Sequence, residues 1–259
     1  MSAPAADARP DPEPYLSLVV TTYREADVLA GSLPRIAAAL RALRSGPCEV
    51  VFVDDGSGDG TADRVESRFP EIADLSPRLL RHAENRGRGA ALSTGFRAAR
   101  GRYAGYMDLD LEVDASYLPA VLAALDTEAD VATGLRRYVS ARSLPDFRTV
   151  LSVGYRWLSR LVLHHRLRDT ETGFKFFRRD RLVGVLPHLR EPGWFFDTEV
   201  MVVSAMSGLA IREVPVDFRR RRDKVSAVRV RRDVGRYLAA LARFVRRRRA
   251  LALALASPS

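Results

Sequence analysis

The chain is 259 residues long, 47% hydrophobic and 29% charged. At about 150 residues per domain this makes one large or two small domains, and so high an apolar content excludes a disordered polyelectrolyte. The formal charge is +10, yet the segment from Arg212 to Arg249 alone holds 15 basic and four acidic residues, which leaves the remainder near neutral. A single cysteine, Cys48, excludes an internal disulfide framework and a multi-cysteine zinc site, and the four histidines show no HExxH spacing.

Met1 to Pro14 lacks the charge order and apolar run of a signal peptide, so residues 1–14 read as a flexible tail. Leu16 to Thr21 is rich in β-branched residues, as a buried strand is, and Asp27 to Leu43 repeats apolar positions at helical spacing. Glu49 to Asp54 is a second buried strand, closed by Asp55-Gly-Ser-Gly-Asp-Gly60, and Thr61 to Arg68 follows as a helix. Leu79 to Arg81 reads as a third strand, Gly89 to Arg100 as a helix, and Tyr103 to Leu109 as a fourth strand that ends in carboxylates. Ser116 to Leu125 is helical, Asp130 to Gly134 a strand, Asp146 to Leu163 a helix, and Arg168 to Gly173 a loop. Leu209 to Phe218 alternates like a strand, and Val230 to Arg249 is a helix with Val234, Leu238, Leu241 and Val245 along one face. Strands alternating with helices imply an α/β fold, a mainly parallel sheet with helices on both faces and ligands at the carboxyl ends of its strands. The domain spans 15–226, and 227–259 is a basic amphipathic C-terminal segment. No run of 18 apolar residues occurs, so no membrane span is expected.

Two polar clusters fall at strand ends. Asp54 and Asp55 either cap a turn or accept hydrogen bonds from ribose hydroxyls or a base N–H. The glycines after them miss the GxGxxG spacing, because position 61 is threonine, and no Walker sequence occurs. Asp108, Asp110 and Glu112 alternate, so an extended backbone brings their carboxylates to one face. They form either an exposed acidic strand end or a site for a hard divalent cation, Mg2+ or Mn2+, with positions left for diphosphate oxygens. The basic end is either a solvated face or a surface for an anionic partner.

In order along the chain stand VVTTYRE (Val19 to Glu25), VDDGSGDGT (Val53 to Thr61), NRGRGAA (Asn85 to Ala91), DLDLE (Asp108 to Glu112), GLR (Gly134 to Arg136), DTETGFKFF (Asp169 to Phe177) and EVPV (Glu213 to Val216). This series resembles the family 2 glycosyltransferases, and within them the dolichyl- or polyprenyl-phosphate mannose synthase branch. The resemblance implies a GT-A fold, a nucleotide-sugar donor, a divalent metal and inversion at the anomeric carbon. It puts Thr22, Tyr23, Glu25, Asp54, Asp55 and Asp108 on the donor, and Asp108, Asp110 and Glu112 around the metal and its diphosphate. It puts Arg136, Arg148 and Ser152 on an acceptor phosphate, where arginine's planar fork suits the oxygens. Three positions depart from the pattern: Thr22 stands for a proline, Arg24 for an asparagine, and Leu135 for the serine of GSR.

The reaction so implied moves a hexose, mannose from GDP-mannose or glucose from UDP-glucose, to a polyprenyl or dolichyl phosphate. A lipid phosphate is already anionic and attacks without a base, whereas an alcohol acceptor requires Asp197 or Glu199 to take its proton. The alternatives are a family 2 enzyme acting on a hydroxyl of a soluble acceptor and, more distantly, a sugar nucleotidyltransferase. The latter should carry a Gly-rich basic loop after its first strand, and Thr21 to Glu25 is not one. Nucleic acid is not an expected partner, since the acidic strand ends repel phosphate and no binding motif appears. Val230 to Leu255 combines arginines with apolar positions, as interfacial helices do, which points to a cytoplasmic protein peripheral on the inner face of an anionic membrane.

Overall fold

The computed structural model describes residues 13–139, 147–219 and 230–256. Its strands are β1 (Leu16–Thr22), β2 (Cys48–Asp54), β3 (Arg78–Arg81), β4 (Tyr103–Met107), β5 (Val131–Tyr138), β6 (Phe174–Arg178) and β7 (Ile211–Phe218). They form a sheet in the order β3-β2-β1-β4-β6-β5-β7, in which β6 alone runs antiparallel to both of its neighbours. The helices are α1 (Ala26–Arg41), α2 (Thr61–Ser67), α3 (Arg88–Ala98), α4 (Leu118–Thr127), α5 (Phe147–Leu163), α6 (Arg179–Val185), α7 (Phe196–Met206) and α8 (Val230–Ala256).

Alternate residues of the central strands feed two cores. Leu16, Leu18 and Val20 of β1 pack with Leu29, Leu33 and Ile36 of α1 and with Val121 and Leu125 of α4. Val19 of β1 and Val51 and Val53 of β2 pack on the other face, with Leu92 and Phe96 of α3 and Val200 and Val203 of α7. Burial on both faces is why LSLVVT and EVVFVD read as unbroken apolar runs rather than as alternating ones.

Chain order reverses beside β1. From β1 the chain builds β2 and β3 to one side, then returns to lay β4 on the other. The carboxyl ends of β1 and β4 therefore flank a topological switch point, where open α/β sheets place their ligands.

Several boundaries differ from the sequence reading. Strand β4 stops at Met107, two residues short of Leu109, while β5 continues past Gly134 to Tyr138, paired along its length with β7. The antiparallel β6 has no counterpart among the expected elements, and neither do α6 and α7. Helix α8 runs seven residues beyond Arg249 and packs Ala240, Leu241, Phe244 and Leu251 onto the second core. The expected apolar stripe is thereby divided, since Leu241 is buried while Val234, Leu238 and Val245 are 40–45% exposed. Residues 1–12 of the expected tail, and the expected domain boundary at Ser226, lie outside the described residues.

Candidate active site

The residues that the resemblance assigns to a donor stand mostly at the ends of β1 and β2. Thr22 and Asp54 are buried, and the Thr22 hydroxyl donates to Asp54 Oδ1 at 3.2 Å while the Ser57 N–H donates to Oδ2 at 2.9 Å. Asp55 accepts from the N–H groups of Arg86 (3.0 Å) and Gly87 (2.8 Å), and its Oδ1 lies 2.7 Å from His82 Nδ1. Both Asp55 oxygens are thus engaged in holding the 82–87 loop over β2. That loop crosses so close to Gly56 (φ +73°) that a Cβ there would lie 2.6 Å from Asn85 N, which only glycine avoids. Tyr23 is exposed, Glu25 is half-buried ahead of α1, and the Arg24 guanidinium sits 5.3 Å from the Tyr23 ring. The structure therefore brings the six residues assigned to the donor to the carboxyl edge in two roles. Thr22, Asp54 and Asp55 form its buried floor, and Tyr23, Glu25 and Asp108 stand nearer its surface.

The acidic cluster follows β4, but its backbone is not extended. The Leu111 N–H donates to the Asp108 carbonyl at 3.2 Å, and Leu111 takes a left-handed φ of +54°, so residues 108–111 form a turn. Burial still alternates, with Leu109, Leu111 and Val113 inside and Asp108, Asp110 and Glu112 half-exposed. The expected convergence of three carboxylates does not occur: among the described residues no group of three or more His, Cys, Asp or Glu side chains is gathered for a metal. The physical reason is the turn, which replaces the extended backbone on which that convergence depends. The donors present still suit Mg2+ or Mn2+. They are all oxygen, they lie at the switch point, and such ions are commonly held by one or two carboxylates with substrate phosphates completing the shell. Asp108 and Asp110 fit that arrangement.

Asp108 is held from two sides. Its N–H donates to the Gly173 carbonyl at 3.1 Å, and its carboxylate occupies the space that a side chain at 173 would take. Its Oδ1 accepts from Arg88 Nη2, and Arg88 Nη1 reaches Asp197 Oδ2 at 2.9 Å. Burial, together with the neighbouring Asp110 and Asp197, pushes the Asp108 carboxyl up to about 6 against the pull of Arg88.

Asp197, in the first turn of α7, is buried at the centre of this network. Its Oδ1 accepts from the Tyr106 hydroxyl and lies 3.4 Å from Lys175 Nζ, while Oδ2 is taken by Arg88. Lys175 is fully buried, which lowers its pKa even though Asp197 works in the other direction. Asp197 is therefore a hub between two cations rather than an open carboxylate. Glu199 is also closed to solvent: it accepts from the Arg190 and Glu191 N–H groups at 3.0 and 2.9 Å and meets Arg247 of α8. The sequence reading missed Arg88, Lys175 and Tyr106. Arg88 and Lys175 lay inside the NRGRGAA and DTETGFKFF segments, so the signal was present but unassigned.

Of the residues expected on an acceptor phosphate, Arg136 of β5 has a side chain only 8% exposed, which grips Asp169 with two bonds, Nε at 2.6 Å and Nη2 at 2.8 Å, and Nη2 also reaches Glu171 at 2.9 Å. Burial alone would lower its pKa, but Asp169 and Glu171 raise it well above the ordinary arginine value. Its Nη1 takes no part in this fork. Arg156 of α5 lies 3.7 Å from Asp169 and 5.4 Å from the Tyr138 ring, and so joins the same cluster. Arg148 and Ser152 fall one turn apart in α5, eight and four residues before Arg156. Their side chains lie outside the described residues.

The profile of "Glycosyl transferase family 2" matches residues 17–184. The chain is 28% identical over 228 residues to the dolichyl-phosphate beta-glucosyltransferase of Saccharomyces cerevisiae, covering 80% of this chain and 68% of that protein. It is 31% identical over 208 residues to the undecaprenyl-phosphate mannosyltransferase of Micrococcus luteus, covering 77% and 82%. The glycosyltransferase AglD of Haloferax volcanii is 34% identical, but this chain spans only 35% of it. Among solved structures, the glucosyl-3-phosphoglycerate synthase of Mycobacterium tuberculosis, with Mn2+, UDP and glucosyl-3-phosphoglycerate, superposes with a TM-score of 0.63 at 18% identity over 95% of this chain and 81% of that one. The mannosyltransferase PcManGT of Pyrobaculum calidifontis, with GDP-Man and Mn2+, gives 0.59 at 23% identity over 90% and 65%. These likenesses establish a GT-A fold. With the profile covering well over half its length, the chain belongs to glycosyl transferase family 2.

Proposed function

We propose that the chain transfers a hexose from a nucleotide sugar to a polyprenyl phosphate, with inversion at the anomeric carbon. The observation that carries this reading is the state of Asp197. An alcohol acceptor needs a carboxylate to remove its proton, and the inner carboxylate here is buried between Arg88, Lys175 and Tyr106. A phosphate oxygen arrives already charged, so an acceptor that needs no base suits this site better. The names of the yeast and Micrococcus relatives point the same way.

In the reaction the acceptor phosphate oxygen bonds to the anomeric carbon from the face opposite the leaving nucleoside diphosphate, whose C–O bond breaks with its electrons kept by the diphosphate. Asp108 and Asp110 would hold a divalent cation, which supplies charge neutralisation for the departing diphosphate. Tyr23, Glu25 and Asp54 hold the nucleoside. Arg136 is fixed by Asp169 and Glu171 with Nη1 outside that fork, and with Arg148 and Ser152 it orients the acceptor phosphate. The exposed arginines and apolar residues of α8 bring the domain to the lipid surface where such an acceptor resides.

The test is incubation with labelled GDP-mannose or UDP-glucose, Mg2+, and either polyprenyl phosphate or the corresponding polyprenol. Label should enter the lipid phase only when the phosphate is present, and the donor that works fixes the sugar. Transfer to the polyprenol or to a soluble alcohol, with none to the phosphate, would refute the reading.

A further inference from the structure

Among the described residues, Arg88 is the side chain that pairs with both the candidate metal carboxylate and the buried hub beneath it. It opens α3, and its backbone is fixed by its neighbours: the Ala90 N–H donates to the Pro192 carbonyl at 3.1 Å, and Gly87 and Gly89 lie against Pro192 and Glu191 too closely for any side chain. The guanidinium is held through side-chain contacts instead. It is nearly buried, bridges Asp108 Oδ1 and Asp197 Oδ2, and lies 5.2 and 5.3 Å from the rings of Tyr106 and Trp194, the latter 59% exposed.

From this we infer that Arg88 acts as a built-in counter-cation that keeps a divalent metal off Asp108 until the donor arrives. The inference rests on the reading of Asp108 and Asp110 as the metal carboxylates. Asp108, Asp110 and Asp197 carry three negative charges, and Arg88 and Lys175 return two. A divalent ion added while Arg88 stays in place makes the cluster net positive, at short range and in a partly desolvated site where like charges repel strongly. An ion that enters with a nucleoside diphosphate brings its own anion, so the cluster does not become positive and Arg88 gains a second place to pair. One oxygen of Asp108 is already spoken for by Arg88 and the other lies against Gly173, so the carboxylate is also short of open lone pairs until the guanidinium lets go. Metal and donor therefore load together.

The experiment is a Mn2+ titration of the full chain without nucleotide, read by the loss of the free-ion EPR signal, so it needs no acceptor and no turnover. Arg88→Gln should bind Mn2+ at least tenfold more tightly than the wild type. Arg88→Lys keeps the charge but reaches one carboxylate instead of two, and it should fall between them. A disturbed fold would weaken binding, so a gain is not what structural damage produces. Equal or weaker Mn2+ binding in whichever variants fold would overturn the inference. Asp110→Asn in the same titration separates the two levels of argument. If it leaves Mn2+ affinity unchanged, the metal assignment fails and the counter-cation role with it; if it weakens binding while the Arg88 variants do not tighten it, only the counter-cation role fails.

Discussion

Gly173→Ala tests whether Asp108 must sit where the structure holds it. Gly173 is absent from the positive-φ residues, so alanine suits its backbone, and the bond from the Asp108 N–H to the Gly173 carbonyl uses no side chain. The new methyl group meets the Asp108 carboxylate instead. Even the farther oxygen, Oδ1, lies only 2.6 Å from the position a Cβ would take, and Oδ2 is closer still. Contacts shorter than 3.0 Å essentially never occur for real Cβ atoms, so both oxygens must move, the nearer by about 1 Å, and a misplacement of that size at reacting groups costs roughly 10²-fold in rate. Stability should change little, because one exposed edge of an ion pair is loosened while Arg88 keeps Asp197. The assay is the initial rate of lipid-linked sugar formation beside the thermal midpoint, with Gly184→Ala, where nothing lies within 4 Å of the added methyl, as the control. A Gly173→Ala enzyme within threefold of wild-type rate would show that this position of Asp108 is not needed for transfer.

Asp110→Ala, or EDTA on the wild type, should nearly abolish transfer, and undiminished turnover in EDTA contradicts the metal reading. Arg148→Ala should raise the acceptor KM and spare donor affinity, so an equal loss of donor binding in calorimetry would put the residue in the wrong site. Burial, with the charges of Arg160 and Arg248 behind it, presses His165 from 6.5 down to about 4. The folded state thus resists protonation: His165 takes nothing from stability above pH 6.5, and lowers it as pH falls from 6.5 towards 4, where the unfolded chain takes the proton first. Asp108 and Glu213, both raised, work in the opposite direction, so the comparison is with His165→Phe, whose acid loss should be smaller, and identical pH slopes would rule the effect out. Converting Arg236, Arg246 and Arg249 together to Gln should weaken sedimentation with anionic vesicles by about 10²-fold at roughly 1 kcal/mol per arginine. Vesicle binding that ignores lipid charge would contradict a membrane role for α8.

What the sequence made legible were features set by local pattern. β1 and β2 announced themselves because both of their faces are buried, and Asp108 fell at a strand end because its apolar neighbours Leu109, Leu111 and Val113 lie inside. The turn that separates the acids was hidden, since it depends on a left-handed leucine, and a non-glycine residue gives no local sign of that conformation. β6 was hidden for another reason. Phe174-Lys175-Phe176-Phe177 is too short and too uniformly apolar to reveal its period, and its place is set by antiparallel pairing to strands far away in sequence. Arg88 looked no different from Arg86 two residues earlier. What distinguishes it is Asp197, 109 residues along the chain.

Helix α8 shows the same limit acting on function. Positions 234, 238, 241 and 245 make a regular stripe on paper, but the side that docks is rotated from it: Tyr237 meets Phe195 edge-to-face at 5.1 Å, and Leu241, Phe244 and Leu251 enter the core. Arg243 then pairs with Glu191 at 2.8 Å and Arg247 donates to the His188 carbonyl at 2.9 Å, so two of the arginines face the protein and not a membrane. Those contacts hold the segment that includes Pro192, whose carbonyl receives the Ala90 N–H at the start of α3, one helical turn of which carries Arg88. The basic end is therefore mechanically joined to the start of α3. Deleting it would strip several buried apolar side chains, each worth about 2–5 kcal/mol, and would loosen the loop behind Arg88 at the same time. A loss caused by the missing arginines and a loss caused by a displaced Arg88 would then be indistinguishable, which is why the arginines exposed on the outer face, and not the helix itself, are the groups to change.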